Sequence, residues 1–245
     1  MSEPSSIAVF GFGLIGASVA LAARARWPAL RVIAIDRAAV LASPRAREAA
    51  NQWVDSEDTT QRLQAFAAAD ISVLAAPLAA MEAVLPEALT ACRVVTDCGS
   101  TKRSMLAVAA RHAHRERFVA GHPMAGKPSG GVELADAQLF AQRAWILCPE
   151  QASVDAAATV KRFVEGLGAT VTQMAADQHD RAMALTSHLP QLLASALLVL
   201  ADRNAVPQAA CGPGFESATR VAGGPTNIWH DIFARNADHI TTSLD

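Results

Sequence analysis

What this sequence has little of narrows it first. Its four cysteines, Cys92, Cys98, Cys148 and Cys211, include no pair with CxxC spacing. They sit among apolar neighbours, which reads as buried reduced thiols and not as a disulfide frame or a zinc site. Charge of one sign is also scarce: 21 basic against 23 acidic residues leave a formal net charge of −2. Nucleic-acid and membrane surfaces need a concentrated basic footprint, so neither partner is expected. The longest apolar run, Leu192 to Ala201, is too short to span a bilayer. Met1 to Ser6 is polar and lacks the charged start and apolar run of a secretory leader. Internal repeats and low-complexity segments are absent. The default expectation is a cytoplasmic protein, and a small or anionic substrate could be held by one or two local arginines.

What is present is a large apolar fraction, 51% of 245 residues, enough for a sizeable core. Ile7–Phe10 is an apolar run ending in glycines, as a buried parallel strand does. Gly13 to Arg26 reads as a helix, and Arg31–Ile35 as a second strand closed by Asp36. Further strands are predicted at Asp70–Ala76 (stopped by Pro77), Arg93–Asp97, Phe118–Gly121, Ala144–Cys148 and Ala169–Met174. Helix-length segments lie between them at Met81–Ala91, Ser104–His114 and Ser153–Leu167. Such alternation predicts an α/β fold, an N-terminal Rossmann domain with a doubly wound, mostly parallel sheet. From Asp177 to Asn204 the chain is one apolar-periodic stretch interrupted only by Pro190. This predicts a C-terminal all-α domain. The expected division is residues 1–174 for the dinucleotide and 175–245 for substrate and dimerisation. Its apolar faces are hard to hide in so short a chain, so a homodimer is expected.

Gly11-Phe12-Gly13-Leu14-Ile15-Gly16 matches GxGxxG between the first strand and the first helix. Gly11 permits the tight turn, Gly13 leaves room for a pyrophosphate, and Gly16 lets helix and strand pack closely. The helix start, with Leu14 and Ile15, presents free N–H groups and a positive dipole end to phosphates. Asp36 closes the next strand twenty residues after Gly16. It is expected to accept from the adenosine ribose hydroxyls and to repel a 2′-phosphate, which favours NAD over NADP. Arg37 beside it keeps NADP possible. Pro77 and Ser100, at later strand ends, complete the expected cofactor set.

Three stretches carry candidate chemistry: Asp97-Cys98-Gly99-Ser100-Thr101-Lys102, Gly121-His122-Pro123-Met124-Ala125-Gly126 and Thr186-Ser187-His188-Leu189-Pro190-Gln191. The first two follow strands, on the edge where open α/β sheets bind ligands. With the glycine motif, GSTK from Gly99, HPMAG from His122, SHLP from Ser187, Gly214-Phe215 through Thr219-Arg220, and Pro225 through Phe233, the chain resembles the prephenate/arogenate dehydrogenase family. The matches run in order over almost its whole length. The resemblance implies NAD(P)-dependent oxidative decarboxylation of a cyclohexadienyl acid in tyrosine biosynthesis. It implies that His122 contacts the ring hydroxyl and takes its proton, and that Ser100 orients His122. Arg220 would hold a substrate carboxylate, for which its planar fork is suited. Ser187, His188 and Gln191 would line the substrate pocket. Lys102 reads as a loop or cofactor-edge residue. His112 and His114 read as a solvated face, and no metal site is expected.

Departures from the family pattern bear on the substrate. Gln191 stands where many prephenate-using members carry a histidine, and its carbonyl can accept from an ammonium group. Pro128 stands where some members carry a glutamate, and Glu216-Ser217 replace a more usual Arg-Asp. These favour arogenate, or both substrates. Alternatives are a relative acting on 4-amino-4-deoxyprephenate and a non-catalytic NAD(P)-sensing module. Dehydrogenases of the β-hydroxyacid type use a lysine on a second-domain helix. This chain has only Lys102, Lys127 and Lys161, none of them in its helical region.

Overall fold

The computed structural model describes residues 3–127 and 129–244. It divides into two compact units, Met1–His179 and Asp180–Asp245. Unit one runs β1 (Ser6–Phe10), α1 (Leu14–Arg26), β2 (Arg31–Asp36), α2 (Ala38–Leu41), α3 (Pro44–Ala49), β3 (Gln52–Asp55), α4 (Thr59–Ala67), β4 (Ile71–Leu74) and α5 (Leu78–Ala91). It continues with β5 (Val95–Asp97), α6 (Arg103–Ala109), β6 (Phe118–Pro123), β7 (Ala144–Cys148), α7 (Val154–Gly166) and β8 (Thr170–Gln173). The eight strands form one sheet in the order β3-β2-β1-β4-β5-β6-β7-β8. Every pairing is parallel except β6 with β7. This is the doubly wound Rossmann sheet that the alternation of elements predicts. Ile7, Val9, Val32, Ala34, Ile71 and Val73 are fully buried, which explains why the central strands read as unbroken apolar runs.

Several boundaries differ from the sequence expectation, each for a local reason. β4 begins at Ile71 because the Asp70 carboxylate is used elsewhere, accepting from the backbone N–H groups of Ser5 and Ser6 at the start of β1. α6 stops at Ala109, well short of His114. There Arg111 N and His112 N turn to carbonyls three residues back, and His114 N donates to His112 Nδ1. β3 and the short helices α2, α3 and α4 had no prediction, since a four-residue strand with polar ends shows no alternation. β6 runs two residues past Gly121, held by antiparallel pairing of His122 with Ile146 and Pro123 with Trp145. His122 therefore lies inside a strand and not beyond it. All four cysteines are free, with Cys92 and Cys148 buried and Cys98 and Cys211 only half-buried. Burial, and then the Asp97 charge, push the Cys98 thiol above its ordinary range, which makes it a poor nucleophile at neutral pH.

After β8 the chain is helical: α8 (Ala176–Met183), a π-helical turn (Ala184–His188) and α9 (Leu189–Arg203) form one continuous 28-residue helix. By length and composition alone it is long enough to cross a membrane. The ten-residue apolar run read from sequence understated it, because the helix continues past polar residues that interrupt the run. α10 (Pro213–Thr219), α11 (Thr226–Arg235) and α12 (Ala237–Thr242) complete unit two. α9 ends at Asn204, and Ala205 follows with φ +53°. That left-handed residue is where helix ends favour glycine. Ala205→Gly is expected to stabilise the protein by about 1 kcal/mol, read as a higher urea midpoint at constant slope. A lower midpoint would show that the Ala205 methyl makes contacts that outweigh its backbone strain.

Candidate active site

The site in unit one begins at the sheet's switch point, where β1 lies beside β4 and the strand order reverses. Gly11 has φ +89°, and a Cβ there would stand 2.4 Å from Ala76 N, so the turn after β1 packs on the turn after β4. A Cβ on Gly16 would stand 2.0 Å from Gly11 O, which seats α1 against the turn. Ahead of Gly13 there is no atom within 4 Å, and no side chain caps α1. The first-turn N–H groups, including those of half-buried Ile15 and buried Leu14, are thus left for a ligand. Exposed Pro77 stands at the start of α5, directly after Ala75 and Ala76. Asp36 Oδ2 accepts from Phe12 N at 2.6 Å, tying the end of β2 to the glycine turn, while Oδ1 accepts from Arg37 N. The Arg37 side chain is 76% exposed. Open space at Gly13, an uncapped helix start and a carboxylate at the tip of β2 fit a dinucleotide.

A second cluster is built on Asp97, at the end of β5. Its Oδ2 accepts from Gly99 N at 2.8 Å and from Lys102 Nζ at 2.5 Å, and its Oδ1 accepts from Gly121 N at 2.9 Å. Lys102 Nζ also donates to Gly121 O at 2.5 Å. Both members of the pair are 0% exposed. Lys102 is therefore an internal strut and not the cofactor-edge residue expected from sequence. With Asp97 it clamps both backbone groups of the residue that precedes His122: Lys102 holds the Gly121 carbonyl and Asp97 the Gly121 N–H. The loop it closes packs on α5, since a Cβ on Gly99 would stand 2.9 Å from Leu78 Cδ2.

His122 itself is half-buried, and its Nδ1 lies 2.9 Å from Nε2 of His179 in α8. The rings meet edge to face with centroids 5.1 Å apart. His179 is 0% exposed. Between two ring nitrogens one must donate and the other accept, so the contact with His179 orients the His122 ring. The sequence reading gave that orienting role to Ser100. The Ser100 side chain makes no hydrogen bond among the described residues. The sequence reading gives His179 no role. The signal that could have found it is a histidine in the polar stretch Asp177-Gln178-His179-Asp180 opening an apolar helix.

In unit two, Ser187 and His188 lie in the π-helical turn, a feature frequent at functional sites. His188 is buried, with Nδ1 at 3.0 Å from Asn236 Nδ2 and its ring edge-to-face with Trp229. Gln191 is buried, and its Nε2 donates to Ser195 Oγ, which leaves its carbonyl as an acceptor. Arg220, just after α10, is exposed and makes no ion pair or hydrogen bond among the described residues. Sequence reading missed Asn236. Pro128 lies outside the described residues.

Comparison with known families agrees with this geometry. Residues 19–173 match the prephenate dehydrogenase nucleotide-binding domain, and residues 175–245 match the prephenate dehydrogenase dimerization domain. A cyclohexadienyl dehydrogenase from Zymomonas mobilis is 31% identical over 250 residues, covering 98% of this chain and 83% of that protein. The prephenate dehydrogenase of Bacillus subtilis is 30% identical over 251 residues, and the match covers 98% of this chain but only 66% of that protein. The crystal structure of A. aeolicus prephenate dehydrogenase, which holds hydroxyphenyl propionate and NAD+, superimposes with a TM-score of 0.90 over 100% of this chain and 86% of that one at 24% identity. That likeness carries the fold. The two family domains in tandem, over a chain whose ordered motifs sit at a switch-point crevice and on a helical unit, place this protein in the prephenate dehydrogenase family.

Proposed function

We propose that this chain is an NAD-dependent dehydrogenase that oxidises and decarboxylates arogenate, prephenate or both, yielding tyrosine or 4-hydroxyphenylpyruvate. The observation that carries the reading is His122, held at Nδ1 by His179 and fixed through Gly121 by the Asp97–Lys102 clamp. An imidazole oriented in this way at the end of a strand of the nucleotide-binding sheet is suited to moving a proton.

NAD+ supplies the hydride acceptor. The chain's own groups handle the rest. The His122 imidazole takes the proton of the ring hydroxyl as hydride leaves the same carbon and a carbonyl forms. The electron pair of the breaking ring–carboxylate bond then flows through the double bonds to that oxygen. CO2 departs, the ring becomes aromatic, and His122 returns its proton to the phenolic oxygen. Arg220, an exposed guanidinium with no ion pair or hydrogen bond among the described residues, binds a substrate carboxylate. Ser187, His188 and Gln191 line the substrate pocket. The Gln191 carbonyl suits an ammonium donor, which favours arogenate. Ser100, Pro77 and the turn from Gly11 to Gly16 hold the cofactor.

A second copy of the chain covers the exposed Leu193, Leu197 and Leu200 of α9, which accounts for an apolar helix in a cytoplasmic enzyme. Reduced-cofactor formation with purified protein, each substrate paired with NAD+ and with NADP+, tests the assignment. Turnover with NAD+ and at least one of the two is expected. Cofactor binding without turnover of either would transfer the assignment to the amino-deoxyprephenate relative. Asp36→Ser is expected to raise the NADP+/NAD+ ratio of kcat/KM about tenfold or more, a change of roughly 1.4 kcal/mol or greater. An unchanged ratio would show that Asp36 does not discriminate.

A further inference from the structure

We infer that Gly121 is a positioning residue for His122, an inference that draws on the reading above only for the task of His122. The bare Cα of Gly121 sets how closely β6 lies between β5 and β7, and so where the imidazole one residue on is carried.

The backbone at Gly121 does not call for glycine. Its φ is not positive, unlike those of Gly11, Gly131 and Gly168. Space calls for it. A Cβ there would stand 2.8 Å from Asp97 O, 3.0 Å from Trp145 Nε1 and 3.1 Å from Thr96 Oγ1. The first contact is closer than a carbon comes to a backbone oxygen, and the other two are tight.

Strand register explains the crowding. Residues 119, 121 and 123 share one face of β6, and His122 lies on the other. Thr96 on β5 pairs with Val119, and Trp145 on β7 pairs with Pro123, so both side chains stand on the Gly121 face. Thr96 is 0% exposed and Trp145 1% exposed. Each is held by a contact of its own. Thr96 Oγ1 donates to Val119 O at 2.8 Å, and the Trp145 ring packs on Phe140 with centroids 5.1 Å apart. Trp145 Nε1 has no hydrogen-bond partner among the described residues, so the indole fills this place by its bulk.

The polar groups of Gly121 are engaged as well. Its N–H donates to Asp97 Oδ1, and its carbonyl accepts from Lys102 Nζ. A methyl group on Gly121 would push against the Asp97 backbone oxygen while the Asp97 carboxylate holds the Gly121 N–H. Both cannot be kept at once. Either β6 withdraws from β5 or the Gly121 peptide turns within its clamp. Each movement swings His122, whose Nδ1 lies 2.9 Å from His179 Nε2.

Long-range 1H–15N correlation reads the His122 ring directly, its cross-peaks assigned by their loss in His122→Asn. In folded Gly121→Ala these peaks are expected to shift while those of His112 and His230 stay in place. Unmoved His122 peaks would overturn the inference whatever the enzyme turns over. In the parent background Gly121→Ala is expected to lower kcat about tenfold to a hundredfold, the scale on which a misplacement of about 1 Å acts, with KM for NAD+ little changed. A kcat equal to that of the parent would overturn it too. In the His122→Asn background the same substitution is expected to cost little more. An equal loss in both backgrounds would show that residue 121 acts on something other than His122. Adding Trp145→Phe to Gly121→Ala takes the indole nitrogen out of the contact. It is expected to recover part of kcat, and to restore the fold if Gly121→Ala alone is unfolded. Recovery of neither would sink the crowding on which the role of Gly121 depends.

Discussion

His122→Asn is expected to lower kcat by about two to four orders of magnitude, the range that a positioned proton acceptor contributes. Asparagine keeps a polar group at the end of β6 but cannot take a proton there. Cofactor binding, measured by titration calorimetry, is expected to change little, since the glycine turn follows β1 and Asp36 ends β2, while residue 122 lies in β6. His179→Leu is expected to lower kcat as well, by a smaller factor, because the Nδ1 bond that holds the His122 ring is gone. The double variant is the sharper measurement. If the two rings act as one unit, its loss falls short of the product of the single losses. Retention of a tenth or more of kcat in His122→Asn would take His122 out of the proton's path. Fully multiplicative losses would mean that His179 acts on something other than His122.

The second large effect is on stability. Lys102→Met leaves the Asp97 carboxylate buried with its backbone N–H partners and no countercharge. Breaking a buried pair from one side typically costs about 3–5 kcal/mol. For a chain of this length that corresponds to a fall in Tm of roughly 10 °C, at about 2–4 °C per kcal/mol. Activity is expected to fall beyond what unfolding explains, because the lost strut also released Gly121 O, next to His122. Adding Asp97→Asn removes the stranded charge while keeping one oxygen, which can accept from Gly99 N or from Gly121 N but not from both. The double variant is therefore expected to recover part of the Tm but not the full kcat. A Tm in Lys102→Met equal to that of the parent protein would refute the clamp. Full recovery of kcat in the double variant would show that charge, and not the tie to Gly121, is what the site needs.

What the sequence determined by itself is the part of this protein written in local chemistry. Short apolar runs such as Ile7–Phe10, stopped by glycine and alternating with helix-length segments, read as strands buried on both faces, so the parallel sheet was legible. The spacing of Gly11, Gly13 and Gly16 before a helix, with Asp36 ending the next strand, specified the nucleotide turn. That device depends on backbone conformation and close approach, and both are encoded residue by residue. The order of short motifs from Gly99 to Phe233 was enough to find the family. Tertiary structure decided the rest. β6 reaches His122 only because β7 pairs with it in the antiparallel sense, a long-range contact with no local mark. Lys102 looked like a loop residue because its partners, Asp97 and the Gly121 carbonyl, meet it only when β5 and β6 lie side by side. His179 lies 57 positions from His122, and Asn236 lies 48 from His188. Neither pairing has a periodicity to read, since buried hydrogen bonds between side chains are set by packing and not by spacing. The sequence supplied the reactive groups. The fold chose which partner each histidine meets.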